Sequence, residues 1–191
     1  VEGVAESMLL PHFIRSKFPE LYQRYITILG VNGRHAHRLS PLIEKLCLPT
    51  LVITDLDPAE KEGYHKSVVL KRGEGQISGN YAIAKWLMKE KDIDKLVDYS
   101  EDKKEFSFAS PYRFSIRLAY QTPVKVDFEG EEKEAIPGTF EDCLIYTNYD
   151  LFKKIKVTDS GNLVEQTHDL LNSNDTFEMI HEKIYKMLSF A

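Results

Sequence analysis

The chain of 191 residues is long enough to bury the core of one domain of ordinary size. Its 30 acidic against 25 basic residues leave a formal net charge of −5, which argues against a generic basic coat for nucleic acid but not against a local acidic site that handles one. Cys47 and Cys143 lie far apart with no CxxC spacing, and no apolar run approaches the roughly 20 residues that span a bilayer, so a disulfide scaffold and a membrane span are both disfavoured and a reducing, cytoplasmic setting is expected.

In chain order, Val1 reads as the end of a first strand. Met8, Leu9, His12 and Phe13 recur at helical spacing over residues 7–18, ahead of Pro19. Residues 25–31 are rich in β-branched and aromatic side chains and close on Asn32-Gly33, the pattern of a strand and turn. A short helix is expected over 39–46 and a strand over 51–54. This strand-helix-strand-helix-strand order predicts an α/β fold with a central, mostly parallel sheet of about four strands flanked by helices. Residues 59–79, with Gly63, Gly73, Gly75 and Gly79, read as a loop, and 81–96 as one helix carrying Ala82, Trp86 and Ile93 on or near one face. Residues 98–112 read as a polar connection, so that 59–112 forms an inserted loop and helical segment. Residues 113–120 and 123–128 read as a hairpin-like strand pair, followed by an acidic turn at 129–133. A helix capped by Thr139 is expected over 140–152, a Gly-Asn turn at 161–162, and a final helix over 176–188. The chain starts inside a motif without an initiating Met and reads as a fragment of a longer protein, with 1–191 as one domain.

Asp55 and Asp57 end the buried strand, and residues two apart on a strand point to the same side. Glu2 and Glu6 stand four apart and share a face if the first helix starts near Gly3. Glu2 follows the first strand and Asp55 the third, so both belong at the carboxyl edge, where sites form in open α/β sheets. Each acid has an ordinary structural reading. A helix start favours negative charge, and Asp57-Pro58 is a plausible N-cap and first helical residue. Together, however, Glu2, Glu6, Asp55 and Asp57 bring four carboxylates to one edge with no basic residue in the same motifs. Mg²⁺ or Mn²⁺ would relieve that repulsion, and two such ions can drive phosphodiester hydrolysis.

The pattern Val1-Glu2-Gly3-x-x-Glu6-x-x-Leu9-Leu10-Pro11, followed by Val52-Ile53-Thr54-Asp55-Leu56-Asp57, resembles the Toprim (Rossmann-like) domain of the overcoming lysogenisation defect (OLD) family of ATP-dependent nucleases. A Glu and a DxD are the general Toprim signature, shared with primases and topoisomerases; Leu-Leu-Pro narrows it. Residues 76–80 leading to Lys85-Trp86-Leu87, and residues 139–145, resemble the family too, carrying the likeness to about residue 152. The resemblance implies a divalent-metal-dependent DNA endonuclease or nickase, preceded in the intact family by an ABC-type ATPase domain that is absent here. It implies one ion on Glu2 and Asp55, and a second held with help from Asp57, Glu6 and Glu141, with Thr139 adding an oxygen. Lys186, four residues before Phe190, is the weaker match to a family lysine that offsets developing phosphorane charge, with Lys153 and Lys154 as alternatives. Glu141 also has a reading as a first-turn or capping-box acid.

Arg34 and Arg38, interleaved with His35 and His37, make a small basic cluster that could touch DNA phosphates, although a solvated surface is the commoner reading. His12 reads as a core-edge residue. Two competing functions stay open: a non-catalytic Toprim module that dimerises or docks to its ATPase, and an Asp55-based phosphotransferase, which Pro58-Ala59 disfavours.

Overall fold

The computed structural model describes residues 1–61, 68–109, 111–156 and 161–189; Gly63, Phe190 and Ala191 lie outside them. Helix α1 runs Val4–Lys17 from Gly3, an N-cap in extended conformation, which sets Glu2 and Glu6 astride the helix start as their spacing requires. A four-residue α2, Pro19–Tyr22, follows. The strand expected over 25–31 is not formed. That stretch runs irregularly, and its far end is tied to the start of the chain by backbone bonds. The Val1 amino group donates to the Leu29 carbonyl, Val31 N–H to Val1, and Gly33 N–H to Glu2, each at 3.0 Å. Strand-forming residues still need a ladder partner, and among the described residues this stretch bonds only to Val1 and Glu2 at its far end.

A 3₁₀ turn, Ala36–Leu39, leads into α3, Ser40–Leu46. Strand β1, Thr50–Ile53, comes next, then the two-residue strands β2, Pro58–Ala59, and β3, Ile77–Ser78, which pair antiparallel. The single helix expected over 81–96 is two: α4, Tyr81–Trp86, and α5, Ile93–Val97. Met88 and Lys89 adopt left-handed φ of 51° and 69°, which no α-helix accommodates. Asp92 then caps α5 by accepting from Lys95 N–H. The helical periodicity survives the break because Trp86, Leu87 and Ile93 are all buried.

The polar connection expected over 98–112 includes strand β4, Glu105–Phe108, preceded by a 3₁₀ turn. Strand β5, Phe114–Ala119, lies between β1 and β4. It runs parallel to β1, with Thr50 opposite Ile116 and Ile53 opposite Ala119, and antiparallel to β4. The fold is therefore mixed α/β with one parallel strand pair. Among the described residues its main sheet has three strands, not a mostly parallel set of about four.

Strand β6, Val124–Phe128, does not pair with β5 but with β7, Glu131–Ala135, the stretch expected to be a turn. Glu129 and Gly130, with φ of 55° and 84°, form the two-residue connection whose twist suits a tight hairpin. Helices α6, Phe140–Thr147, and α7, Tyr149–Lys154, divide the expected 140–152 helix at Asn148. Helix α8, Leu163–Leu171, capped by Asn162, fills the stretch between the Gly-Asn turn and the expected last helix, α9, Phe177–Ser189.

Partner choice follows burial. Phe114, Ile116 and Leu118 alternate into a first core with Val52, Leu56, Ile83, Trp86 and Leu96. Val126 and Ala135 enter a second core with Ile145, Tyr146, Ile180 and Ile184. No helix among the described residues is long and apolar enough to cross a membrane. Leu118, fully buried on the middle strand, sets the first prediction. Leu118→Ala is expected to lower unfolding free energy in urea by about 2–5 kcal/mol, and a loss below about 1 kcal/mol would remove β5 from the core.

Candidate functional site

The parallel register of β1 and β5 decides what leaves the sheet together. Thr54 N–H donates to the Ala119 carbonyl at 3.0 Å, so pairing continues past Ile53 and brings Asp55 beside Gln121. Gln121 Nε2 donates to Asp55 Oδ1 at 2.5 Å, and Gln121 Oε1 accepts from Leu56 N–H at 2.9 Å. Leu56 is fully buried and anchors the turn, while Asp57 takes a left-handed φ of 49°. Glu2, at the entrance to α1, is buried and approaches the same edge, where its Oε2 accepts from Asp55 N–H at 3.4 Å.

Asn80 closes the arrangement. Its Nδ2 donates to Glu2 Oε1 and Oε2 at 3.2 and 3.1 Å and to Asp57 Oδ2 at 2.9 Å. Its Oδ1 accepts from Ala82 N–H at 2.9 Å as the N-cap of α4. Glu2, Asp55 and Asp57 thus share a continuous hydrogen-bond network, in agreement with the placement expected from the sequence. Asn80 and Gln121 were not foreseen. The Ser-Gly-Asn run ahead of Tyr81 signals an N-cap, and recognising β5 as the parallel neighbour of β1 would have placed Gln121 beside Asp55.

The electrostatics follow from burial. Withdrawal from water pushes the Asp55 carboxyl up to about 8; Gln121 opposes this, and the charges of Asp57, Glu6 and Glu141 reinforce it. Asp57 is also raised, first by burial and then by Glu2, against the pull of Arg34 and Asn80. Arg34, expected at a DNA phosphate, is held on the site itself, with Nε 2.9 Å from Asp57 Oδ2. It reaches there over Gly79, whose N–H donates to the Asp57 carbonyl at 2.9 Å. A Cβ at position 79 would lie 3.0 Å from Arg34 Nη1 and 3.3 Å from that carbonyl oxygen.

The remaining candidates fall at different distances from this network. Glu6 is buried in the first turn of α1 and folds back so closely that a Cβ on Gly3 would strike its Oε2. Glu141 is exposed on the first turn of α6 and near enough to act on Asp55. The capping box of α6 pairs Thr139 with Asp142, not Glu141. Thr139 Oγ1 donates to Asp142 Oδ1 at 2.8 Å, and Thr139 N–H donates to the same oxygen at 2.8 Å. Lys186 lines a groove between α8 and α9 with Asp169, Asp175 and Lys183, rather than standing beside Asp55 or Asp57. Lys153 lies over the Tyr149 ring and Lys154 faces Asp150. Arg38 is exposed. His37 sits by Tyr81 and the Arg34 carbonyl, and His12 is exposed rather than at the core edge.

Residues 1–57, which hold Glu2, Glu6, Asp55 and Asp57, match the family described as the overcoming lysogenization defect protein-like TOPRIM domain. This stretch is similar to OLD-like Toprim domains. Across the chain, Endonuclease GajA of Bacillus cereus (strain HuB5-5) is 25% identical over 207 aligned residues, which take in 99% of this chain and 28% of that protein. The chain therefore spans little more than a quarter of that relative's length. No solved structure matches it.

The donors in this matched stretch suit a hard divalent cation in kind, being carboxylate oxygens. Among the described residues no three His, Cys, Asp or Glu side chains enclose a common point at ligand spacing. What the structure does show is carboxylates gathered at one edge, Glu2 buried and Asp55 and Asp57 half-buried, with Asn80 between two of them and Asp55 raised toward neutrality. Such a set has unmet demand for positive charge. A second prediction follows for the metal-free protein. Between the ordinary carboxylate range and about 8, folded Asp55 keeps a proton that the unfolded chain has released. Its contribution to stability is thus fully present below about 4 and is lost as pH rises toward 8. In chelator, the melting temperature is expected to fall from pH 6 to pH 8, and Asp55→Asn to flatten that fall. An identical slope in the variant would disprove the assignment.

Proposed function

We propose that this chain carries a divalent-metal-dependent nuclease site that hydrolyses DNA phosphodiester bonds by a two-metal mechanism. The observation that carries the reading is the meeting of Glu2, Asp55 and Asp57 at the carboxyl edge of the parallel β1–β5 pair. The Toprim match over residues 1–57 and the endonuclease name of the relative support a nuclease-type chemistry.

In this reading Glu2 and Asp55 hold one Mg²⁺ or Mn²⁺ ion, and Asp57, Glu6 and Glu141 help hold a second. Bound ions supply Lewis acidity at the scissile phosphate and make a water molecule a stronger nucleophile. The chain's own part is to hold the carboxylates in place and orient them at one edge. Thr139 donates its hydroxyl proton to Asp142, which leaves the oxygen lone pairs to be offered to an ion. Arg34 on Asp57 is the cation that the fold brings to the carboxylates, and Lys186 in its groove is the more remote one. DNA is the proposed partner, together with an ATPase domain elsewhere in a longer protein.

Supercoiled plasmid in millimolar Mn²⁺ or Mg²⁺ is expected to be nicked or cut, and EDTA to stop the reaction. Asp55→Ala should lower the rate by more than about 100-fold, since loss of a ligand exceeds the 10–100-fold typical of its supporting contacts. Equal cutting in EDTA, or full activity in Asp55→Ala, would overturn the mechanism.

A further inference from the structure

Two buried amides attend three carboxylates, and in each case the amide's orientation is fixed by chemistry. Asn80 is 1% exposed and Gln121 7%. Asn80 Oδ1 is taken by Ala82 N–H, and Gln121 Oε1 by Leu56 N–H, both at 2.9 Å. Turning either amide over would set its oxygen against a carboxylate and its NH₂ against a backbone N–H, two repulsive contacts in place of two favourable ones. The NH₂ groups therefore have to face the acids: Nδ2 of Asn80 toward Glu2 and Asp57, Nε2 of Gln121 toward Asp55.

These donors carry no net charge. A Lys or Arg in their place would neutralise the carboxylates and compete with a cation for them. A neutral N–H fixes the orientation of Glu2 and Asp55 without pairing a charge to them, while Asp57 carries the Arg34 ion pair beside its amide contact. Gln121 engages Oδ1 of Asp55 and Asn80 engages Oδ2 of Asp57, so the opposite oxygen of each carboxyl group is the one presented.

We propose that Asn80 and Gln121 are positioning residues of the metal site, setting the orientation of Glu2, Asp55 and Asp57 for divalent cations; this rests on the reading of the site given under Proposed function. Asn80 makes the sharper case because it ties two carboxylates from opposite ends of the matched stretch. Contacts of this kind are typically worth 10–100-fold in metal affinity.

The test is Mn²⁺ binding to the protein, followed by electron paramagnetic resonance and calorimetry, in four forms: unaltered, Asp55→Ala, Asn80→Ser and Gln121→Met. Serine keeps an oxygen to cap α4 and removes the NH₂, so circular dichroism should report an unchanged fold. Methionine keeps the bulk of Gln121; if that variant does not fold, Asn80→Ser carries the test alone. The expected result is binding by the unaltered protein, loss in Asp55→Ala, and about 10–100-fold weaker binding in Asn80→Ser and Gln121→Met. A purely structural role would leave Mn²⁺ affinity where it was. Unaltered affinity in both folded variants overturns the positioning role while the metal site stands. Absence of Mn²⁺ binding by the unaltered protein, or unaltered binding in Asp55→Ala, overturns the metal site and the positioning role with it.

Discussion

Like charges gathered where water is scarce must be held by something, and the fold around buried Glu2 and half-buried Asp55 and Asp57 is arranged to do so. Burial alone drives a carboxyl group toward its neutral form, as the raised value of Asp55 shows. The opposing influences are few and specific: Gln121 on Asp55, and Asn80 and Arg34 on Asp57. Each reaches its place through a separate piece of architecture. Gln121 arrives by the parallel β1–β5 register, Asn80 as the cap of α4, and Arg34 from the segment whose Gly33 N–H bonds to the Glu2 carbonyl.

The two apolar cores divide the work. The first, built on β1, β5, α4 and α5, fixes the network itself, because Val52, Leu56 and Leu118 are buried next to the residues that carry it. The second, built on β6, β7, α6 and α9, presents Thr139 and Glu141 from the first turn of α6. Helix α1 touches α6, and the charges of Glu6 on the one and Glu141 on the other both act on Asp55.

The acids were legible in the sequence because their signal is local: a strand ending in Asp55-Leu56-Asp57, and Glu2 and Glu6 one helical turn apart. The amides were not, since Asn80 meets Glu2 across 78 residues and Gln121 meets Asp55 across 66. Alternation identified β5 and β6 as strands but could not say that they serve different cores. Periodicity identified the buried face of 81–96 but not the left-handed turn at Met88 and Lys89. Residues 25–31 show the converse, a strand composition without a partner long enough to realise it. Capping chemistry at Thr139 was legible, while its acidic partner proved to be Asp142, buried with N–H groups from Gly138 and Thr139 around it.

Gly79 touches several of these arrangements at once. It bonds to the Asp57 carbonyl, stands beside the Asn80 cap, and leaves the space through which the Arg34 guanidinium passes. A methyl group there would crowd that guanidinium and the carbonyl together. Positions 34 and 79 are therefore bound to one another as a pair. A side chain gained at 79 would make the tip of the arginine give way by a few tenths of an ångström where it meets Asp57, so substitutions at these two sites are expected to depend on one another.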